Sequence, residues 1–334
     1  MMQTDALQQT RFVPVGQPAD LCVILVNYNT AHLLERCLGE LRRASVGLSV
    51  RVVIVDNASR DNSPAFIRDN FPDVVLIANT DNVGFGRANN QALEFAEAPF
   101  VLLLNADAFV RTDTLTRSIN YMRSHPQCGV LGAQLVDEEG HVLWGRGRHF
   151  PNPWKDFLIQ IGLGRYVLGT QAPAVPAGST PQSWPCDWVV GCYYMVRREV
   201  LDKIGLFDPR YFLYFEEVDH CRAVHAAGWS VESLAGVEVV HVGGGSAETE
   251  GELSASGRQI SALQIESELL YFRKHNGLPG LALAIGLSWL GDAIRSLKCL
   301  LKGRPWSDTA VFRRHSATVW QLARLTKLGT RPTR

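Results

Sequence analysis

The sequence has no surplus of either charge: Lys and Arg total 33, and Asp and Glu total 33. Nucleic-acid proteins ordinarily carry a strong basic excess, so that class is disfavoured. No two of the seven cysteines (22, 37, 128, 186, 192, 221, 299) form a CxxC pair. That argues against a disulfide framework or a cysteine zinc site, and the thiols fit a reducing compartment. The opening MMQTDALQQTRFVPVGQPAD lacks a basic stretch followed by an apolar one. It reads as a loose arm over 1–19 and not as a signal peptide. No run of about 18 uncharged apolar residues occurs, so no spanning helix is expected. A GxxxxGK[ST] phosphate loop is missing as well.

What remains is an ordinary globular composition, 46% hydrophobic and 20% charged, long enough for one large domain or two smaller ones. Phe100–Val110 reads FVLLLNADAFV. A short unbroken apolar run suits a strand buried on both faces of a parallel sheet. Ligands on such sheets bind beyond the carboxyl ends of the strands, which is where Asp107 falls. A helix cap or a solvated turn carboxylate is the other reading of that residue.

The same pattern precedes it. Leu21–Val26 and Val52–Val55 read as buried strands and Val74–Ala78 as a third. Thr30 and the pair Ser63-Pro64 are placed to start the intervening helices. A further helix is expected from about Arg87, and another over Thr112–Ser124. Four strand–helix alternations with short links predict a parallel sheet covered by helices. Its tips carry Asn27 and Asn29, Asp56 and Asn57, Asn79, Asp81 and Asn82, and Asn105 and Asp107: a crevice for a polar ligand. NVGFGRANN (82–90) matches GxGxxG in Gly84 and Gly86 but has Asn89 at the third position, which disfavours a dinucleotide enzyme.

The alternation stops at Pro126. Val130–Val136 and Val142–Trp144 look antiparallel, and the Pro- and Gly-rich stretch 171–185 reads as a surface loop, a lid or a disordered segment. Trp188–Val196 reads as a strand interrupted by Gly191, and Val237–Val240 as another. Between them, Glu216, Glu217 and Asp219 open a helix straight after the apolar Tyr211–Phe215. Acids at a helix start suit its dipole. Emerging from apolar surroundings, they also suit a general base of raised pKa. His241 ends the last strand, before Gly243-Gly244-Gly245-Ser246.

In this order VNYN (26–29), VVIVDNASRDNS (52–63), NVGFGRANN (82–90), LLLNAD (102–107), GCYYMVRREVLDKIGLFD (191–208), YFEEVDHCRAVHAAGW (214–229) and HVGGGS (241–246) resemble the family 2 glycosyltransferases. That family is inverting and of the GT-A type, and the rhamnosyltransferase-like members are the nearest in flavour. The resemblance covers roughly residues 20–275. It implies an α/β fold: a Rossmann-like nucleotide-sugar domain with a mixed central sheet, plus a C-terminal helical segment. The donor half would be 20–125, the acceptor and catalytic half 126–275, and the amphipathic helical segment 276–334.

Carried over residue by residue, the resemblance gives Asn27, Tyr28, Asp56 and Asn57 to the nucleobase and ribose. Asn82, Gly84 and Arg87 would line the nucleoside and diphosphate side. The family's DxD falls on Asn105-Ala106-Asp107, so only Asp107 keeps the charge. Asp107 would hold a divalent metal, Mn²⁺ or Mg²⁺, with His241 as second ligand. The family's Glu-Asp pair falls on Glu216-Glu217, which makes Glu217 the base and leaves Glu216 and Asp219 open. Trp188, Arg273 and Lys274 are candidates for acceptor or phosphate contact, although the two cations also suit a helix C-terminus.

The implied activity is transfer of one sugar, best matched by rhamnose from dTDP-rhamnose, to a saccharide or lipid-linked saccharide in cell-wall or polysaccharide synthesis. A nucleotidyltransferase and a non-catalytic sugar-nucleotide-binding protein are the alternatives. The stretch 278–304 is apolar with Trp289 and several cations. It fits a helix lying in a membrane interface on the cytoplasmic side, or else a packing helix or a homodimer contact.

Overall fold

The computed structural model describes residues 11–144, 148–166, 182–242, 252–253, 259–260 and 262–334. They group into two compact units, one drawn from 1–149, 172–208 and 217–248, the other from 150–171, 209–216 and 249–334.

In the first unit ten strands form one sheet: β1 (Leu21–Asn27), β2 (Val50–Asp56), β3 (Val75–Ala78), β4 (Phe100–Asn105), β5 (Ala108–Val110), β6 (Cys128–Val136), β7 (Val142–Trp144), β8 (Gln182–Pro185), β9 (Tyr193–Arg197) and β10 (Ser230–His241). The order is β3-β2-β1-β4-β9-β6-β10-β5, with β7 on β6 and β8 on β10. β3, β2, β1 and β4 are parallel, as the strand–helix alternation predicts. Their register aligns Asn27 with Asp56 and Val26 with Asn105, so the polar tips share one edge. β9 then enters antiparallel beside β4, and the sheet becomes mixed.

Helices α1 (Ala31–Ala44), α2 (Ser63–Asn70), α3 (Phe85–Ala92) and α4 (Thr114–Ser124) follow β1, β2, β3 and β5. α1 turns Leu34, Cys37, Leu38 and Leu41 inward, one face of a 3.6-residue repeat. Thr30 precedes α1 but does not cap it. Its hydroxyl donates to Asn27 Oδ1 at 2.5 Å instead. At α2 the cap position falls on Asn62, and Ser63 is already helical. The segment expected to be irregular over 171–185 ends in β8, an edge strand antiparallel to β10; residues 171–181 lie outside the described ones.

Leu21–Leu25 and Val52–Val55 are fully buried, as expected of strands covered on both faces. Arg51 on β2 is charged and yet also fully buried. Its guanidinium donates to the carbonyls of Phe95, Glu97, Pro14 and Gln17 at 3.2, 3.3, 3.1 and 2.5 Å. A buried charge without a counter-ion is costly unless its donors are matched, and four carbonyls match most of them.

The second unit is mainly helical: α5 (Pro153–Gln160), α8 (Ala262–Leu301) and α9 (Ala310–Leu325), with a short antiparallel pair Glu252–Leu253 and Gln259–Ile260. The labels α6 (Arg198–Ile204) and α7 (Glu216–Ala226) go to the helices before and after Tyr211–Phe215. Asn152 caps α5, accepting from the Trp154 and Lys155 amides. α8 is broken at Gly277, where φ is +67°. That value favours glycine, and Pro279 then sits in the first turn of the continuing half. α8 is long and apolar enough to cross a membrane by length and composition alone, although Asp292, Arg295 and Lys298 interrupt its second half. About 28% of its apolar window is buried. Asp292 ties α8 to α5 and α9. It accepts from Gln160 Nε2 at 2.9 Å, His315 Nδ1 at 2.7 Å and Ser316 Oγ at 2.7 Å.

Gly132 on β6 has no room for a side chain, since a Cβ there would lie 2.7 Å from Val189 Cβ. Gly132→Ala is therefore expected to lower stability by about 1–3 kcal/mol, read as a shifted urea midpoint at unchanged m-value.

Candidate active site

The tips of β1 and β2 hold one another. Asn27 Nδ2 donates to Asp56 Oδ2 at 2.7 Å and to Ser59 Oγ at 3.0 Å. Asn57 Nδ2 donates to Asn82 Oδ1 at 2.7 Å, while Asn57 Oδ1 accepts from Asn79 Nδ2 at 3.1 Å and the Val83 amide at 3.0 Å. Both asparagines are buried, so these bonds replace water and fix the loops. Of the candidates for base and ribose, Asn27 and Asn57 thus shape the crevice from within. Tyr28 is half-buried and Asn82 exposed, and their outer faces line the loops. Gly84, at φ +89°, precedes α3 and lets the chain turn into it. Arg87 stands in the first turn of α3.

β4 ends in Asn105, and β5 begins at Ala108. β10 runs antiparallel to β5 and aligns His241 with Ala108. The Val242 amide donates to the Asp107 carbonyl at 3.1 Å. His241 Nε2 consequently lies 3.4 Å from Asp107 Oδ1, with both side chains largely shielded. Asn105 Oδ1 is a buried acceptor with no hydrogen-bond partner among the described residues. A carboxylate, an imidazole and an amide oxygen awaiting a partner suit a hard or borderline divalent cation. The glycines after Val242 lie outside the described residues.

The second half of the site gathers at Gly191-Cys192. The Asn105 amide donates to the Cys192 carbonyl at 3.1 Å. A Cβ on Gly191 would sit 3.8 Å from Glu217 Cδ and Oε1, so the bare glycine backbone covers that carboxyl. Glu217 Oε2 is shielded and has no hydrogen-bond partner among the described residues. Desolvation raises the Glu217 pKa, and backbone hydrogen bonds, including one from Gly191, together with the Arg148 charge pull it partly back. Glu216 and Asp219, the other acids singled out in the sequence, are both buried.

The backbone entering α7 is unusual. Tyr214 and Phe215 both take left-handed conformations, at φ +69° and +70°. Each costs of the order of 1–2 kcal/mol for a residue with a Cβ. Trp188 is half-buried, with Nε1 donating to the His149 carbonyl at 2.9 Å and Arg148 over its ring at 5.3 Å. Arg273 and Lys274 belong to α8, in the helical unit.

Sequence reasoning missed several residues. Arg148 sits in no motif and reaches the site by a bridge between two irregular segments. His220 is buried on α7. Its Nε2–H donates to the Gly205 carbonyl at 3.0 Å, so Nδ1 accepts from Tyr194 Oη at 2.7 Å. This clasp anchors α7 to β9 and to the turn after α6. Its only signal in the sequence is adjacency to Asp219.

A parallel half-sheet with polar tips, continued as a mixed sheet, defines the class of glycosyltransferases with the GT-A fold. A mannosyltransferase from Pyrobaculum calidifontis, solved with GDP-Man and Mn²⁺, shares the fold at a TM-score of 0.50 and 16% identity, over 98% of this chain and 93% of that one. The family model "Glycosyl transferase family 2" matches residues 22–205, and the chain belongs to that family. It is 29% identical over 239 residues to the N-acetylglucosaminyl-diphospho-decaprenol L-rhamnosyltransferase of Mycobacterium tuberculosis, 66% of this chain and 75% of that protein. It is 25% identical over 203 residues to the rhamnosyltransferase WbbL of Escherichia coli, 55% of this chain and 75% of that protein.

Burial lowers the His220 pKa from 6.5 to about 4. Between those values the folded state binds fewer protons than the unfolded one, so stability is full above about 6.5 and falls as the pH drops towards 4. The His220 share is at most about 1.4 kcal/mol per pH unit. Urea unfolding across that range is expected to show a shallower acid branch for His220→Gln than for wild type.

Proposed function

We propose that the chain is a metal-dependent inverting glycosyltransferase that moves a rhamnosyl group from a nucleoside-diphosphate donor, best matched by dTDP-rhamnose, to a lipid-linked saccharide. The observation that carries the inverting chemistry is Glu217, a shielded carboxylate with raised pKa and an unused oxygen beside Gly191. The rhamnosyl and lipid-linked parts rest on the names of the relatives.

In this reading the sugar nucleotide lies across the tips of β1, β2 and β4. Tyr28 and Asp56 take base and ribose, with Asn27 and Asn57 holding their loops in place. Gly84 and Arg87 face the diphosphate side. Glu217 accepts the proton of an acceptor hydroxyl, and the oxygen attacks the anomeric carbon as its bond to the diphosphate breaks. Attack opposite the leaving group inverts the anomeric centre, and no enzyme nucleophile is required. Asp107 and His241 would hold Mn²⁺ or Mg²⁺, and Asn105, two residues before Asp107, has an Oδ1 left without a partner among the described residues. When bound, such an ion neutralises charge developing on the diphosphate as a Lewis acid. Trp188 serves the acceptor side. Arg273 and Lys274 are offered to a phosphate by the family resemblance alone.

A lipid-linked acceptor brings the enzyme to a membrane surface, and we place it peripherally on the cytoplasmic face. Supporting this, Leu290, Leu297, Leu301, Trp306 and Trp320 are exposed on or next to α8 and α9, with Lys302, Arg304 and Arg313 nearby in the chain. Exposed apolar side chains with cations close by in the chain suit an interface with anionic lipid.

Glu217→Gln is expected to slow nucleoside diphosphate release by about 10²–10⁴-fold and to leave donor affinity intact by calorimetry. Its melting temperature should equal or exceed that of wild type, because a desolvated carboxylate is removed. Full activity in this variant would reject the base assignment. For the wild type, turnover should climb with pH through a value above the ordinary carboxylate range, since only ionised Glu217 accepts a proton. Separately, Asp107→Ala should abolish the Mn²⁺-dependent part of donor binding; binding that is the same in wild type with and without EDTA would count against the metal site.

A further inference from the structure

The helical unit contains a cavity of about 470 Å³ between α5, both halves of α8 and α9. That is within the range of about 300–1,000 Å³ typical of small-molecule pockets. Much of its wall is apolar, including Phe157, Ile265, Leu269, Phe272, Ile285 and Phe312. Charges of both signs also face it, and only some of them are matched to one another.

Asp292 is saturated by Gln160, His315 and Ser316. Glu268 is different. Among the described residues it makes no hydrogen bond or ion pair, and it shares the cavity wall with Asp156 and His315. Burial and Asp156 push its pKa up to about 7, as happens to a carboxyl short of a counter-ion. Arg295 lies over the Phe312 ring at 4.3 Å and likewise has no carboxylate partner among the described residues. The cavity thus holds an unpaired cation and a pair of neighbouring acids, fixed on separate elements. A ligand with one positive and one negative group would satisfy both. The helices lining the cavity also carry exposed Leu283, Trp289, Leu290 and Trp320, with Trp289 and Trp320 edge to face at 5.8 Å. Interfacial tryptophans of this kind sit at lipid headgroup level.

We propose that this cavity is a lipid headgroup site for a zwitterionic phospholipid with a primary ammonium, such as phosphatidylethanolamine. The ammonium meets Glu268 and Asp156, the phosphodiester meets Arg295, and the acyl chains follow the exposed apolar side of α8. A primary ammonium brings three N–H donors. The quaternary ammonium of a choline lipid brings none, so the site separates the two headgroups. The proposal deepens the membrane-side reading above and rests on it.

The test is flotation of the full chain with vesicles of phosphatidylcholine alone, and with about a third of the lipid replaced by phosphatidylethanolamine or by phosphatidylglycerol. The ethanolamine lipid should raise the bound fraction by about tenfold over phosphatidylcholine, the scale of a charge-assisted hydrogen bond. Glu268→Gln and Arg295→Gln should each remove most of that gain. Both variants should keep the wild-type circular dichroism spectrum and should still respond to phosphatidylglycerol. An ethanolamine gain that survives in both folded variants overturns the headgroup site. So does the absence of any gain while phosphatidylglycerol still recruits the protein, a result that leaves peripheral membrane binding standing. Failure to float with any vesicle removes both readings together.

Discussion

Three residues of backbone pairing decide whether this protein has a site. β5 is only Ala108–Val110, and its partner is the last part of β10. That pairing brings His241, far along the chain, to the residue next to Asp107. Single strands this short contribute little by themselves, and it is the shared ladder that fixes their register. A slip of one residue would turn His241 to the opposite face. The metal-ligand candidates therefore depend on backbone hydrogen bonds before they depend on their own chemistry. β10 can reach that far because it breaks register between Leu234 and Glu238. An irregularity of this kind bends a strand and re-aims its end, and Gly236 at φ +79° lies inside it.

The two halves of the site solve opposite problems. At the tips of β1 and β2, polar groups are numerous and satisfy one another, so Asn27, Asp56, Asn57 and Asn82 form a pre-set rim. Little reorganisation is then needed when a polar ligand arrives. In the other half, a glutamate is kept short of partners. Gly191 matters because it has no side chain: it covers the Glu217 carboxyl without bringing a polar group beyond its amide. Arg148 tempers the effect from a distance. Desolvation raises proton affinity while the neighbouring charge limits the rise, which is how a carboxylate becomes a useful base near neutral pH.

Much of this was legible in the sequence, for reasons that can be named. FVLLLN stands out because a strand buried on both faces cannot alternate, and β4 occupies Phe100–Asn105 as read. The mixed sheet and the helical segment followed from motif order. β10 was read as Val237–Val240 because Ser230, Glu232 and Ser233 look unlike a strand. They are tolerated because β6 and β8 pair with that stretch on either side and fix its backbone. Thr30 and Ser63 suggest caps by type, yet hydroxyls also serve other nearby partners, and Asn27, three residues earlier, takes the first. Arg148, Tyr194 and His220 act through contacts far apart in sequence, which no local pattern announces. The cavity in the helical unit was equally silent, since it arises where α5, α8 and α9 meet.

Tyr214 and Phe215 hold the left-handed backbone that leads into Glu216 and Glu217. Glycine or asparagine would adopt those angles at lower energy. Two bulky aromatics there mean that the position is not set by backbone preference. Phe215 packs on Tyr271 at 5.3 Å between ring centroids, a contact that glycine would forfeit. For protein engineering this inverts the usual rule. A glycine at 215 would relieve the backbone but give up the Tyr271 contact, and would loosen the segment that leads into the acids Glu216 and Glu217. Thermal tolerance alone would not report that change in how the first helical turn is aimed.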